Sequence, residues 1–569
     1  MKDALTKIFA IACSVFFLFT TPRSILAEKW PEYAQKGMVV STNRIASEIG
    51  VEILKRGGNA IDAAVATGFA LAVVDIKAGN IGGGGFMVIY LKNGEAATID
   101  YRETAPAAAH EKMFLDEEGV LIKDINHESY LSVGVPGTVA GLLLALEKYG
   151  RLSRAEVLRP AIELAERGFP VSYAFTQDFS RLEERFKKHS ATQKAFYKKD
   201  GGVYQPGEIL VQKDLAESLQ RISKKGRVGF YKGKTADLIA SQMQKNGGII
   251  THQDLEDYRA IIRKPLVSSY GEYTIFSMPP PSSGGVTLSI MLNILEGYAP
   301  GKLGHNSSQY IHLLTETMRR AYSDRARYLG DPDFNPDLPV ARLISKEHAE
   351  QHRRTINPER ASKSQPNNFD FNLPDKETTH YSVVDAEGNA VSNTYTLEYF
   401  YGSGIVVEGA GFLLNNEMGD FNPRPGHTDS TGLIGTKPNL IQPGKRMLSS
   451  MTPTIVVKDN KPFMVIGSPG GRAIIGTVLQ SILNVVDHDM NIFEAINAPR
   501  FYHQWLPDVL RIEKWGTTTD TIEKLTALGH QHIWVATQGR AMGIIIDPET
   551  GFRIGASDPR SESGAAIGY

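Results

Sequence analysis

Thr378 and Thr379 stand side by side in DKETTHYSVVDAEGNAVSNTYTLE (375–398), between an acidic run and a stretch of alternating apolar residues. DAEGN at 385–389 predicts a tight turn, with Ala386-Glu387-Gly388 as a three-residue loop and Gly388 in the left-handed position. Asp385 then faces Asn389, and paired positions sum to about 774, which sets Thr378 opposite Thr396 to within one residue. Alternation puts Thr394, Thr396 and Glu398 on one face of the second strand. A threonine hydroxyl is a poor nucleophile without a base. An N-terminal threonine carries its own, because its α-amino group has a pKa of about 7.7–8 and is partly neutral at working pH. Cutting Glu377–Thr378 would create such a terminus at the head of a strand. The same residues also fit an ordinary strand threonine, since β-branched residues favour strands.

A second feature with chemical content is GSPGG at 467–471, where the strand pattern PFMVIGS runs into Gly470 and Gly471 at a helix start. Such a turn directs backbone N–H groups at a developing negative charge, or it is simply a tight strand–helix connection. No Gly-Lys-Ser/Thr follows, which disfavours a phosphate loop. GGGG at 82–85 lacks the spacing of a dinucleotide fingerprint and reads as close backbone packing. The 14 histidines show no HExxH or comparable spacing, so neither a metal nor a cofactor is expected.

The elements that must position these residues are mixed. A long helical pattern covers 45–75, and GNIGGGGFMVIYL leads into a buried strand. GVPGTVAGLLLALEKY (134–149) reads as a turn feeding a helix, and the turn-rich MPPPSSGG (278–285) precedes another. Helices are expected over about 308–329, 472–487 and 493–498. Residues 357–377 are polar, hold three prolines and lack apolar periodicity, as a linker or exposed loop does. Strand patterns dominate after Thr378. The fold class is α+β, or α/β, in layers.

The chain has 569 residues and a net charge of −1, with an ordinary globular composition. This composition argues against disorder, and no overall field points to nucleic acid or an anionic membrane. Lys2 and Lys7 precede the apolar run IFAIACSVFFLF (8–19), and SILA ends at Ala27. This is the pattern of a signal peptide, residues 1–27, too short for a transmembrane span of about 20 residues. An uncleaved anchor is the alternative. Cys13 is the only cysteine, so the mature chain would have no disulfide and no thiol nucleophile. The expected location is the periplasm or the exterior.

TTHYSVVDAEGNAVSNTYTL closely resembles the nucleophile segment of the γ-glutamyltranspeptidases, or glutathione hydrolases. NRIASEIGVEILKRGGNAIDAAVATGFALAVVD, DYRETAPAAA, GVPGTVAGL, MPPPSSGG, RRAYSDRARYLGDPDF, LLNNEMGDF, LSSMTPTIV, GSPGG and NAPRFYHQWLPD resemble family blocks in family order. The resemblance covers nearly all of 38–569. It implies a four-layer αββα sandwich of the N-terminal nucleophile hydrolase type. It also implies self-cleavage into a large subunit (28–377) and a small one (378–569) that remain paired as a heterodimer.

Roles implied by the resemblance follow by position. Thr378 matches the nucleophile that attacks the γ-glutamyl carbonyl, and Thr396 the residue that hydrogen-bonds it. Gly470 and Gly471 match the oxyanion-hole turn. Arg102 matches the arginine that grips the substrate α-carboxylate, as a guanidinium does with two parallel hydrogen bonds. Ser449 and Ser450 match a serine pair on the same carboxylate, and Glu417 and Asp420 the groups that take the α-ammonium. Glu398 stands where many members carry asparagine, and its charge would strengthen the ammonium contact. Thr431 stands where some members place an aromatic lid residue, so closure over the substrate would be weaker. His380 is expected to be structural. The implied substrates are glutathione and related γ-glutamyl amides, with water, an amino acid or a dipeptide as acceptor. The alternatives are a glutaryl or cephalosporin acylase of the same fold, and a non-catalytic exported binding protein.

Overall fold

The computed structural model describes residues 30–365 and 378–569. The expected signal peptide, Cys13 and Glu377 lie outside the described residues.

Two antiparallel sheets of seven strands each form the middle of the molecule among the described residues. The first runs Ala565–Gly568, Met38–Ser41, Thr379–Val384, Ala390–Thr396, Gly84–Tyr90, Ala96–Tyr101, Ile261–Arg263. The second runs Glu32–Ala34, Arg553–Ser557, Met542–Ile546, Lys461–Gly467, Thr454–Lys458, Tyr273–Ser277, Leu266–Tyr270. Residues alternate between the two faces of each strand, so one set of apolar side chains fills the space between the sheets. Met38, Val40, Val88, Val384, Ile455, Val465, Met542 and Ile544 form that inner cluster. The opposite faces are covered by helices. Arg44–Lys55, Ala60–Val74 and Thr138–Tyr149 contribute to the core over the first sheet, and Gly284–Leu295, Ser308–Tyr328 and Ile474–Val486 to that over the second. The result is a four-layer αββα sandwich. Both sheets mix strands from before and after Thr378, so the two halves of the chain share one core.

The helical pattern at 45–75 is two helices rather than one. Gly57 takes φ +94, and Asn59 caps the second helix in a reciprocal box with Asp62. Gly and a capping Asn stop one helix and start the next within four residues. The second helix is buried on every side because it lies between the first sheet and the outer helices, and its small residues permit this. Tyr395 donates to the Gly68 carbonyl at 2.9 Å, and a Cβ at Gly68 would stand 2.7 Å from the Tyr381 hydroxyl. The helices at Ser308–Tyr328, Ile474–Val486 and Ile492–Asn497 fall where periodicity predicts them.

Candidate active site

The hairpin register is the one that the turn chemistry dictates. Thr379 pairs with Tyr395, His380 with Thr394 and Val384 with Ala390, each pair summing to 774. Asp385 N–H closes the loop onto Asn389 at 3.1 Å, and Gly388 takes φ +89. The strand begins at Thr379, so Thr378 stands one residue before it, next to the end of the partner strand at Thr396.

Alternation separates the two threonines. The Thr379 hydroxyl donates to Asp75 at 3.1 Å and meets the Thr42 hydroxyl at 2.8 Å on the helix side of the sheet. Thr378 faces the other way, into a narrow polar cleft. Its lining also includes Arg102, Thr396, Glu398, Glu417, Asp420, Ser449, Ser450 and Gly471. Gly470 is the one predicted site residue absent from the lining. It adjoins the cleft at φ +134, followed by Gly471 at φ +55. Two left-handed residues in succession turn the chain from the strand Lys461–Gly467 into the helix Ile474–Val486, and only glycine does this without strain. Gly471 and Arg472 of the turn and Ile474 at the helix start line the same cleft as the threonine.

Close glycine packing fixes the end of the second strand. A Cβ on Gly83 would sit 2.0 Å from the Thr396 carbonyl and one on Gly85 2.5 Å from that of Thr394. Asn80 donates to the Thr396 carbonyl at 2.9 Å, and the Thr396 hydroxyl accepts from Glu398 N–H at 2.8 Å. Glu398 leaves the strand with φ +81, beyond the alternation assumed from the sequence. Its carboxylate lies 3.1 Å from His127 Nδ1, and His127 stacks on Tyr399 at 4.5 Å.

The polar end of the cleft is built around one buried guanidinium. Arg102 Nη2 meets Asp420 Oδ2 at 2.6 Å, and Nη1 meets Glu417 Oε2 at 2.6 Å and Glu103 Oε2 at 3.5 Å. The Glu417 contact is a close ion pair without in-line hydrogen-bond geometry. Nε donates to the Met447 carbonyl at 3.2 Å, and Tyr258 donates to the Arg102 carbonyl at 2.8 Å. Arg102, Glu103 and Glu417 are fully buried, unlike the solvated charges that each would ordinarily be. Burial opposes the Arg102 charge, but Glu417, Glu103 and Asp420 outweigh it and raise its pKa. Burial pushes Glu103 up to about 8 and Glu417 well above the carboxylate range, against the pull of Arg102.

The serines are held by the MPPPSSGG loop. Ser283 N–H donates to the Ser449 carbonyl at 2.8 Å, and the Ser282 hydroxyl to the Met451 carbonyl at 2.5 Å. Partly buried Arg325 donates to Ser283 Oγ at 2.7 Å and Ser450 Oγ at 2.9 Å. Burial, aided by Arg472, lowers the Arg325 pKa to about 10. Arg472 lines the cleft and donates to the Gly432 carbonyl at 3.2 Å, tying the 421–448 stretch to the glycine turn. Thr431 is buried and bonds Asp429 at 2.6 Å. His380 is not in the lining. It is buried between Thr394 Oγ1 at 2.8 Å and Ser382 Oγ at 3.1 Å, and burial drops its pKa to about 3. Sequence reasoning missed Glu103, Arg325, Arg472 and His127. Glu103 and Arg325 were within reach, since both belong to the blocks DYRET and RRAYSDRARYLG.

Comparison with known proteins decides the family. The profile described as Gamma-glutamyltranspeptidase matches residues 46–568. The chain belongs to the gamma-glutamyltranspeptidase family. It is 45% identical over 571 residues to a glutathione hydrolase proenzyme of Pseudomonas sp. (strain A14), with 98% of each chain covered. It is 46% identical to the glutathione hydrolase proenzyme of Escherichia coli (strain K12), covering 95% of this chain and 93% of that one. Among solved structures, a cephalosporin acylase from Bacillus halodurans superposes with a TM-score of 0.85 at 27% identity, covering 97% of this chain and 99% of that chain. The αββα sandwich is thus the architecture of this gamma-glutamyltranspeptidase and of an acylase alike, and the cleft must carry the distinction between them.

Proposed function

We propose that this chain is a γ-glutamyl hydrolase and transpeptidase that works through a threonyl acyl-enzyme once Glu377–Thr378 has been cut. Cleavage gives Thr378 a free α-amine, which takes the hydroxyl proton as Oγ attacks the γ-glutamyl carbonyl. The amide nitrogen leaves with that proton. Water then releases glutamate, or an amino acid or dipeptide takes the acyl group. Thr396 orients the nucleophile, and the Gly470–Gly471 turn receives the oxyanion. The products of the cut, 28–377 and 378–569, stay together as a heterodimer through the two shared sheets.

The observation that carries this reading is the charge cluster round Arg102. Without substrate, the guanidinium is held at 2.6 Å by both Glu417 and Asp420. An amino acid head group can exchange partners with that pair: its α-carboxylate, assisted by Ser449 and Ser450, takes Arg102, and its α-ammonium takes Glu417, Asp420 and Glu398. Every buried charge is then paired again. A glutaryl group brings a carboxylate but no ammonium, and would leave these acids unmatched. This favours glutathione and related γ-glutamyl amides over acylase substrates. Export to the periplasm or exterior remains part of the proposal, resting on residues 1–27; among the described residues no helix is long and apolar enough to cross a membrane.

Mass spectrometry of the purified protein, with a γ-glutamyl anilide assay on wild type and Thr378→Ala, tests the proposal. Two chains with a new Thr378 terminus are expected from the wild type, and one inactive, uncut chain from the variant. An uncut wild type with full activity would overturn it.

A further inference from the structure

A second cluster lies outside the cleft, where the helix Lys346–Arg353 meets the long helix Ser308–Tyr328. His348 and His352, in HAEQH, are four residues apart, the same separation as the two histidines of HExxH and one that the sequence reading passed over, and so share one face of the short helix. Both direct Nε2 at one oxygen of Asp324 on the long helix, at 2.7 and 2.8 Å, and the two Nε2 atoms are 3.1 Å apart. Three atoms of a metal-binding donor set therefore converge on one point from two helices.

The triangle can be tested against bond lengths. Sides of 2.7, 2.8 and 3.1 Å give a circumradius of about 1.7 Å. A point about 1.2 Å above its plane is then about 2.05 Å from all three atoms, the length of zinc–imidazole and zinc–carboxylate bonds. Ideal tetrahedral ligands at that length stand about 3.3 Å apart, so the tripod needs to open by only a few tenths of an ångström. One face of the tripod stays open for a water, because the His352 side chain is 18% exposed while His348 and Asp324 are nearly buried. Two imidazoles and a carboxylate suit a borderline divalent ion such as zinc, and not calcium or magnesium, which prefer oxygen.

A nearby group of the same composition makes the contrast. His312 uses Nε2 on the Asn357 carbonyl and Nδ1 on His530, while Glu316 is engaged by Arg319, Arg320 and Ser362. Its carboxylate is committed to partners outside the group. At Asp324, Nε2 of each histidine meets only the other two members of the tripod among the described residues.

We infer that Asp324, His348 and His352 form a binding site for a divalent transition-metal ion of the zinc class, which staples the two helices together. None of the three lines the cleft, so the ion serves structure and not the acyl transfer. The processed protein, purified without a histidine tag and stripped with a chelator, is titrated with Zn2+ by calorimetry beside a His348→Gln/His352→Gln double variant. The wild type is expected to take one equivalent more than the variant and to melt at a higher temperature with Zn2+, with γ-glutamyl hydrolysis the same in both. Co2+ in place of zinc should give the wild type an intense visible tetrahedral band. Asp324→Asn keeps the side-chain volume and should weaken Co2+ binding by more than about 100-fold, since even outer-shell changes cost 10–100-fold. Equal stoichiometry and equal melting shifts in wild type and double variant, or an unchanged Co2+ spectrum in Asp324→Asn, overturn the site.

Discussion

Asp420→Asn distinguishes an amino acid head group from a plain dicarboxylate. Asn keeps the shape of the side chain and removes its charge. A γ-glutamyl substrate would lose one charge-assisted hydrogen bond to its α-ammonium, worth about 1.5–3 kcal/mol. At about 1.4 kcal/mol per tenfold, that is roughly a 10–150-fold fall in kcat/KM. The ammonium is remote from the bond being broken and is held alike in ground and transition states, so the loss should appear in KM with kcat nearly constant. A second effect has the opposite sign: Arg102 loses one of its acids and attracts the substrate carboxylate more strongly. That gain is the smaller, because Glu417 still stands 2.6 Å from Nη1, whereas the Asp420 side chain is 20% exposed and partly screened. A glutaryl anilide feels only the second effect, so its kcat/KM should hold or rise. Steady-state kinetics on γ-glutamyl and glutaryl anilides measure both. Equal losses on the two substrates would refute the assignment of Asp420 to the ammonium, as would a fall in kcat at constant KM.

Gly470→Ala forces a side chain into φ +134 with its Cβ 2.9 Å from Gly539 Cα, and moving the turn should lower kcat by about 10²–10³-fold, read in single-turnover acylation. Gly467→Ala sets a Cβ 2.2 Å from the His380 ring, which is locked between Thr394 and Ser382, and denaturant midpoints should show a loss of about 1–3 kcal/mol or more. Glu103 titrates near 8 when folded, against 4.5 as its ordinary value, with burial the cause. Between those values the folded state keeps a proton that the unfolded chain releases, so this group costs stability as pH rises from about 5 to 8. Glu103→Gln should flatten that decline, and identical midpoint-against-pH curves for variant and wild type would count against it.

The hairpin was legible because its determinants are local. A Gly at the left-handed loop position and strict alternation specify a register of one residue, and Thr378 against Thr396 follows from it. The layer order was legible only through the resemblance, since the sheets interleave strands that are hundreds of residues apart, such as Met38–Ser41 beside both Thr379–Val384 and Ala565–Gly568. The break at 56–59 was visible as RGGN, but apolar periodicity resumed so soon after it that two helices read as one.

The charge cluster shows why pattern alone cannot assign a site. Arg102, Glu103, Glu417 and Asp420 come from two segments more than 300 residues apart, and nothing in either segment says that the charges are buried. Their burial is nevertheless what gives them a function. An exposed arginine with three nearby acids would gain about 1 kcal/mol or less from each pair and bind a zwitterion weakly. Enclosed with Tyr258 and Met447, each of the same charges needs a close partner of opposite sign, and a ligand with both signs at the right spacing supplies one to the arginine and one to the acids. Glu103 supplies the adjustment. Burial pushes its carboxyl up, and it stands 3.5 Å from Nη1 while Glu417 and Asp420 stand at 2.6 Å, so the close partners of Arg102 are the two acids that the incoming ammonium takes over. Selectivity for the amino acid head group is then a consequence of desolvation, and should weaken as Glu103 ionises and competes with the substrate carboxylate for Arg102.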